Sequence, residues 1–446
     1  MKKTNLKIFA KIYLIMTFLI FSTVNSFCQL FNTEFYELRK STLDSLTIIN
    51  EIIENEISSK IFAKSNRIEK LLTKRKIYLR EISLAEPEII FQYLLSKEYL
   101  EQVRNNYPNL VENLITTVGN IVHYFIDDFN GHNSCLRTLL KTESGEVFHL
   151  LNHIPTNTKT NDLIRITGYQ LEDILIQDED TFELLTPFII PKAKSESFKI
   201  LFLMVSFYDQ PPVPISIESL RSHILPENSA MHRIYREMSY NKVDFDAEIY
   251  GWYIFQRPGK DNNGNIIPIA GGELFQVLNY YNIDLNDVDY ITWAPYIDGN
   301  WPYLGIAIFG RELIEYNGQT YYIGTNIINA GLPITPLILN GMPAFDYVAI
   351  HEIGHNMWLG HSDGWEYGNS SGSIIQYGNK FDIMGRGRWA YHFNLIQKKY
   401  LGWLDENQIV EINQSGMYTI NALQTLDGIK GARISLNSTS DESLFI

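Results

Sequence analysis

The segment 351–361, HEIGHNMWLGH, contains three histidines and one glutamate, residue types that can bind a metal ion and transfer a proton. His351 and His355 are four residues apart, so on a helix their imidazoles lie one turn apart on nearly the same face and can meet at one metal ion. Glu352 lies beside such an ion, where it can accept a proton from a water molecule that the metal activates. The spacing therefore predicts a helical metal site with a general base.

His361 is the third candidate ligand. If the helix continued, His361 would point about 120° away from His355 and lie ~9 Å further along the axis. It can reach the same metal only if the chain leaves the helix between Met357 and His361. Three histidines would leave the fourth position of a tetrahedral Zn²⁺ open to water, which is the catalytic arrangement. We therefore expect one catalytic zinc ion, with Glu352 as general acid and base in peptide-bond hydrolysis.

A methionine-containing turn follows the histidines. The residues Asp382-Ile383-Met384-Gly385 resemble the Met-turn that lies beneath the zinc site of the metzincin clan. Read alone, Met384 would be an ordinary core methionine. Its position behind the third histidine favours the Met-turn interpretation.

From about Phe198 to its end, the chain resembles the gametolysin-type metallopeptidases, a metzincin family. The matching segments are 201–209, 237–251 with Ser239-Tyr240, 351–361, Tyr377-Gly378 before 382–385, and 401–404 followed by 415–419. The resemblance implies an α+β fold whose metzincin-like catalytic domain has a twisted sheet and an active-site helix. It also implies a secreted zinc endopeptidase that acts on proteins or peptides and is made as a zymogen. The zinc ligands would be His351, His355 and His361, with Glu352 catalytic and Met384 in the Met-turn.

Trp358 departs from the family motif, which has glycine at this position. Glycine is favoured where a helix ends because it tolerates positive φ, and a tryptophan there would cost about 1–2 kcal/mol. Either the helix runs longer and Gly360 makes the turn, or the site is distorted and activity is weak or lost. We favour retained zinc binding, because the ligands keep their spacing. The alternative is a non-catalytic zinc-binding or surface-binding protein on a metzincin scaffold.

Other candidate site residues have weaker support. Some metzincins carry a tyrosine ligand two residues after the Met-turn methionine, but here that residue is Arg386, so no fifth protein ligand is expected from it. Tyr391 and His392 are nearby candidates for stabilising the oxyanion. The turn 259–265 resembles a calcium loop but has Gly272 at the twelfth position in place of glutamate, so calcium is possible but unsupported.

The composition excludes several classes of function. The chain has 446 residues, with 37 Lys and Arg against 51 Asp and Glu, a formal charge of −14. This charge argues against nucleic-acid binding and against attachment to anionic lipid through a basic patch. Oligomeric state does not follow from it.

The N-terminus predicts export. Lysines at 2, 3, 7 and 11 precede the apolar stretch 12–24, the layout of a signal peptide, with cleavage before Gln29. A lipoprotein modified at Cys28 is the alternative. The stretch is shorter than the roughly 20 residues that span a bilayer, so we expect a secreted protein with no stable membrane span.

The remaining chain divides by its sequence pattern. We expect a signal peptide at 1–28, a helical part of the pro-segment at 29–110, a small all-β module of the pro-segment at 111–195, a catalytic domain at 196–404, and the start of a truncated β-sandwich domain at 405–446. Within these regions we expect one helix over 216–240 and strands at 198–207, 243–255, 306–309 and 417–420, with 306–309 as the edge that faces substrate.

Cys135 is the only thiol left after signal cleavage. One hypothesis is that Cys135 binds the zinc in the zymogen and blocks it. The cysteine-switch pattern is not present around it, and a buried structural cysteine is the alternative.

Overall fold

A computed structural model describes residues 33–58, 64–127, 134–151, 154–155, 157–178, 181–190, 197–256, 271–297, 304–332, 338–339, 342–366, 372–385, 392–435 and 443–445. The chain is mixed, with 31% helix and 32% strand, so the predicted α+β class is confirmed. Internal contacts divide it into two compact units. Unit 1 contains the described residues up to Tyr124 together with Cys135–Ile189. Unit 2 contains Phe125–Ser134 and Ile190–Ile446.

Unit 1 begins with three helices, α1 Thr33–Ser58, α2 Asn66–Ala85 and α3 Lys97–Asn106, and a 3₁₀ turn at Pro87–Gln92. Ser65 begins α2 by accepting the N–H of Ile68 on its side-chain oxygen at 3.2 Å. Apolar residues recur at three- and four-residue steps, and this face is buried. Its members include Leu46, Ile49, Ile53, Leu72 and Leu79.

The strands of unit 1 are β1 Asn113–Asp127, β2 Cys135–Thr142, β3 Val147–Leu151, β4 Leu163–Leu171, β5 Ile174–Gln177 and β6 Glu183–Thr186. Their order is β6-β4-β5-β3-β2-β1, and β1 also pairs antiparallel with β4. This second pairing closes five strands into a small barrel filled by side chains such as Ile121, Leu140 and Ile166. The last residues of β1, 125–127, are part of unit 2.

Unit 2 is built on the strands β7 Phe198–Phe207, β8 Phe245–Phe255, β9 Tyr290–Pro295, β10 Gly305–Ile308, β11 Glu312–Tyr316 and β12 Gln319–Ile328. The order is β10-β12-β9-β7-β8, and β11 pairs with β12. The neighbours β8-β7-β9-β12 are parallel, whereas β10 is antiparallel to β12. Strand β7 is buried on both faces, which explains its continuous apolar sequence.

The helices of unit 2 are α4 Ile217–Ile224, α5 Ala230–Met238, α6 Gly271–Tyr281, α7 Ala344–Asn356 and α8 Leu395–Tyr400. The prediction of one helix over 216–240 was wrong, because Pro226 cannot donate a backbone hydrogen bond and Ser229 starts a new helix. Within the described part of the chain, no helix has the length and apolarity needed to cross a membrane.

Short strands complete unit 2: β13 Ile338–Leu339, β14 Met342–Pro343, β15 Gly364–Glu366, β16 Ser373–Ile375, β17 Ile409–Glu411, β18 Gly431–Ser435 and β19 Ser443–Phe445. They form two hairpin pairs and a three-stranded sheet, β17-β18-β19. The strand predicted at 417–420 was wrong, since those residues have no strand pairing and Met417 is fully exposed.

Helix α7 lies at the centre of unit 2. Every one of its residues is buried, including the polar ones. Apolar side chains of α7, among them Phe345 and Val348, pack in one core with Phe202 and Met204 of β7. The helix is therefore held on all sides, and the polar side chains it carries have fixed positions.

Candidate metal centre

Helix α7 and the loop after it bring the three predicted histidine ligands together. His351 and His355 lie on α7 and their side chains are fully buried, while that of His361 is 10% exposed. Each offers a ring nitrogen to a common point, and Asp127 adds a carboxylate oxygen. The four ligand atoms lie within 4.8 Å of one another.

Trp358 forms the turn after α7 that brings His361 close to the other two histidines. Helix α7 ends at Asn356, and Trp358 has a φ of 70°. Its N–H donates to the carbonyl of His355 at 2.9 Å, and the N–H of Leu359 donates to that of Gly354 at 3.0 Å. This is the bonding pattern of a Schellman C-cap, which glycine usually occupies. The alternative in which Gly360 makes the turn was wrong. The indole ring lies against Gly310, where a Cβ would overlap it.

Backbone carbonyls set the proton positions on the two helical histidines. Nδ1 of His351 lies 2.8 Å from the carbonyl oxygen of Ile383, and Nδ1 of His355 lies 2.7 Å from that of Leu359. A carbonyl only accepts, so each Nδ1 carries the proton and each Nε2 presents a lone pair to the common point. Burial lowers the pKa of His355 to about 4, which keeps it in this neutral form.

The donor set fits a zinc ion. Nε2 of His355 and Nε2 of His361 are only 3.1 Å apart, and a carboxylate faces them. Imidazole nitrogens and carboxylate oxygens are the ligands that zinc takes in proteins, and three histidines with one oxygen ligand make a tetrahedral set. The residues present could therefore hold a metal ion, and zinc as its identity stays a prediction.

Glu352 lies next to the ligand group without belonging to it. Its side chain is fully buried and packs against Gly305 of β10, where a Cβ would overlap the carboxylate. Burial, and secondly the charge of Asp127, raise the pKa of Glu352 well above its ordinary value. Glu352 thus lies beside the ligand group, and its role as a general acid and base stays a prediction.

The predicted Met-turn lies directly beneath α7. Met384 is fully buried, and a Cβ on Gly354 would lie 2.6 Å from its Sδ. The turn is tight, because the N–H of Gly385 donates to the carbonyl of Asp382 at 3.0 Å. The carbonyl of Ile383 inside this turn is the one that orients His351. The turn thus supports the helix and fixes one ligand.

The sequence did not single out Asp127 and identified Tyr377 only as part of a matching segment. Asp127 has Oδ1 at 2.7 Å from Nε2 of His361, and Oδ2 at 3.2 Å from Nε2 of His355 and 3.6 Å from Nε2 of His351. The hydroxyl of Tyr377 donates to Oδ1 of Asp127 at 2.5 Å. No local sequence pattern distinguishes Asp127, which is a carboxylate directly after the run 121–126.

The other candidates lie elsewhere. His392 belongs to unit 2 but contacts Nζ of Lys398 at 3.1 Å and Oε1 of Glu237 at 3.3 Å, so its position does not support an oxyanion role. Burial, and secondly Lys398, lower the pKa of His392 to about 3. Tyr391 and the turn 259–265 lie outside the described residues. Cys135 belongs to unit 1, and among the described residues the fourth member of the ligand group is Asp127, not that thiol.

No protein-family model and no curated protein matches this chain. The assignment of a function therefore rests on the centre itself: three histidine nitrogens with fixed orientation, a buried carboxyl beside them, and a hydroxyl donor at the same point.

Proposed function

We propose that this chain is the precursor of a secreted zinc metalloendopeptidase of the metzincin type, similar to the gametolysin-type enzymes. The observation that carries the proposal is the convergence of His351, His355 and His361 beside the buried Glu352. A ligand set of three histidines with an acid and base next to it is the arrangement of hydrolytic zinc sites. Export is inferred from residues 1–28, and the substrates would be proteins or peptides.

The residues of the centre have complementary tasks in peptide hydrolysis. Zinc, when bound, would lower the pKa of a water molecule and polarise the scissile carbonyl. Glu352 accepts a proton from the attacking water as the new C–O bond forms, and delivers it to the amide nitrogen as the C–N bond breaks. A raised pKa brings Glu352 closer to the range in which it can do both. The hydroxyl of Tyr377, which donates to Asp127 beside the three histidines, would donate to the developing oxyanion during hydrolysis.

The conformation of Trp358 supports a catalytic function over a non-catalytic scaffold. The scaffold alternative depended on a tryptophan being unable to make the turn before His361. Trp358 adopts the left-handed conformation that the motif glycine would adopt, and His361 meets the other two histidines. The tryptophan therefore costs backbone strain without separating the ligands.

The proposal is tested by digestion of casein with the processed protein, with and without 1,10-phenanthroline. Glu352→Gln should lower kcat/KM by about 10²–10⁴-fold while the zinc content, measured by elemental analysis, stays the same. Glu315→Gln, which changes an exposed glutamate of the same unit, is the matched control and should keep full activity. Equal digestion by the Glu352→Gln protein would refute the mechanism. Digestion that the chelator leaves unchanged would refute the role of zinc.

A further inference from the structure

Asp127 is part of the metal centre although its place in the sequence is in the expected pro-segment. The stretch Phe125–Ser134 groups with residues 190–446 in unit 2, whereas the residues on both sides of it belong to unit 1. Within unit 2 the carboxylate of Asp127 is fully buried and approaches Nε2 of His361 to 2.7 Å. A short piece of the N-terminal region is therefore built into the site.

With zinc bound to the three histidines, the carboxylate of Asp127 would be the fourth ligand, in place of the water that a catalytic site requires. A carboxylate oxygen is an ordinary zinc ligand, and with three histidines it completes a tetrahedral set. A set closed in this way has no position for water. The centre as it stands is suited to holding zinc but not to catalysis.

Several contacts hold Asp127 in this position. The N–H of Leu304, directly before β10, donates to the backbone carbonyl of Asp127 at 3.1 Å. The ring of Phe125 stacks on the imidazole of His355, with centroids 4.2 Å apart and planes at 17°. Tyr377 donates to the carboxylate. These contacts place residues 125–127 over both the metal position and the start of β10. Strand β10 is the one expected to bind substrate, so the same residues would also block substrate there.

We propose that Asp127 is an internal inhibitory ligand that fills the fourth zinc position of the uncleaved chain until proteolysis removes residues 125–127. The proposal rests on the zinc peptidase function above. Hydrolysis of a peptide bond in the pro-segment would allow residues 125–127 to leave, the bond between the Asp127 carboxylate and the zinc would break, and a water molecule would take its place as ligand. This removal of residues 125–127 also releases Glu352 for proton transfer, Tyr377 for the substrate carbonyl and the end of β10 for a substrate backbone.

The test uses the full chain loaded with Co²⁺, whose visible absorption reports its ligands, and acetohydroxamate as a probe of an open coordination position. The uncleaved wild type should bind the probe weakly. Asp127→Asn should raise the apparent affinity about 100-fold, because a ligand that competes with an internal carboxylate binds only the open fraction of molecules. Asp246→Asn, which neutralises an exposed aspartate of unit 2, is the matched control and should behave as the wild type.

A second measurement needs no variant. It tests the inhibitory role of Asp127 even if the Asp127→Asn protein does not fold. The wild-type chain is titrated with acetohydroxamate before and after limited proteolysis between residues 134 and 198, and tight binding should appear only after cleavage. An uncleaved wild type that binds the probe as tightly as the cleaved form would overturn the proposal, and so would a cleaved form that stays closed. An open form that binds the probe but digests no casein would refute the proposed function and leave the blocking role of Asp127 standing.

Discussion

Unit 1 and unit 2 each bury a cluster of ionisable side chains, and the two clusters differ in how their charges are paired. In unit 1 the fully buried pair is Arg75 and Glu112, joined by two hydrogen bonds of 2.5 and 2.8 Å. Further donors of Arg75 reach Asn50 and the carbonyl of Tyr93, and the N–H of Leu95 donates to Glu112. Burial alone would raise the pKa of Glu112, but Arg75 and the backbone donors hold it below its ordinary value.

In unit 2 the cluster consists of two carboxylates and three histidines. Among the described residues, no lysine or arginine forms an ion pair with Asp127 or Glu352. The pKa of Glu352 is raised by burial and by Asp127, the reverse of the direction seen for Glu112. A buried charge is costly unless it is paired. The cluster of unit 1 contains its own counter-charge, whereas we propose that the cluster of unit 2 is completed by a metal cation.

The largest effect is expected when the counter-charge of unit 1 is removed. Arg75→Met leaves Glu112 buried without a partner and should lower the free energy of unfolding by about 3–5 kcal/mol, measured by urea denaturation of the full chain. The pKa of Glu112 is lowered in the folded state, so the stability that the pair contributes is present above the ordinary value of 4.5 and is lost as the pH falls through the folded value. The penalty in Arg75→Met should therefore shrink in acid.

The matched control is an exposed ion pair of the same unit. Arg67 and Glu56 are 69% and 39% exposed, and Arg67→Met should change the free energy of unfolding by no more than about 1 kcal/mol. The double variant Arg75→Met/Glu112→Leu should recover much of the loss, since both charges are gone. If Arg75→Met lowered the free energy of unfolding no more than Arg67→Met does, Arg75 would not be the counter-charge that the buried Glu112 requires.

Added metal should stabilise the cluster of unit 2 but not that of unit 1, whose charges are already paired. Zinc at roughly 100 to 1,000 times its dissociation constant should add about 3–4 kcal/mol to the free energy of unfolding, because it binds the folded state. Thermal unfolding of the full chain with zinc and with a chelator measures this gain. His351→Ala should abolish it, whereas His149→Ala, in a strand of unit 1, should not. A gain that persists in His351→Ala would place the metal elsewhere.

The sequence predicted those site residues that lie close to one another along the chain. His351, Glu352 and His355 share one helix, and helical geometry alone places the two imidazoles on one face. The strain at Trp358 was also predictable, because the distance from His355 to His361 requires a sharp turn and no glycine stands at that point. Asp127 was not predictable, since nothing near it in sequence indicates that residues 125–127 would join unit 2.

Helices and strands were predicted well where the sequence pattern reflects burial. They were predicted poorly where one residue or a distant partner determines whether the element forms. The apolar run of β7 and the amphipathic pattern of α1 correspond to buried faces. The helix expected over 216–240 is broken because Pro226 outweighs an otherwise helical pattern. The strand expected at 417–420 required partners, and strand pairing depends on residues distant in the sequence.

The smallest effect is expected at the turn that positions His361 in the cluster of unit 2. Trp358→Ala and Trp358→Gly both remove the indole that packs against Gly310, but only glycine relieves the backbone at a φ of 70°. The glycine variant should therefore be more stable than the alanine variant by about 1 kcal/mol in urea denaturation. Both should keep the zinc-dependent gain, because the hydrogen bonds of the turn come from the backbone. Equal stability of the two variants would mean that the turn relaxes, and that the position of His361 depends on the metal and not on the strained helix end.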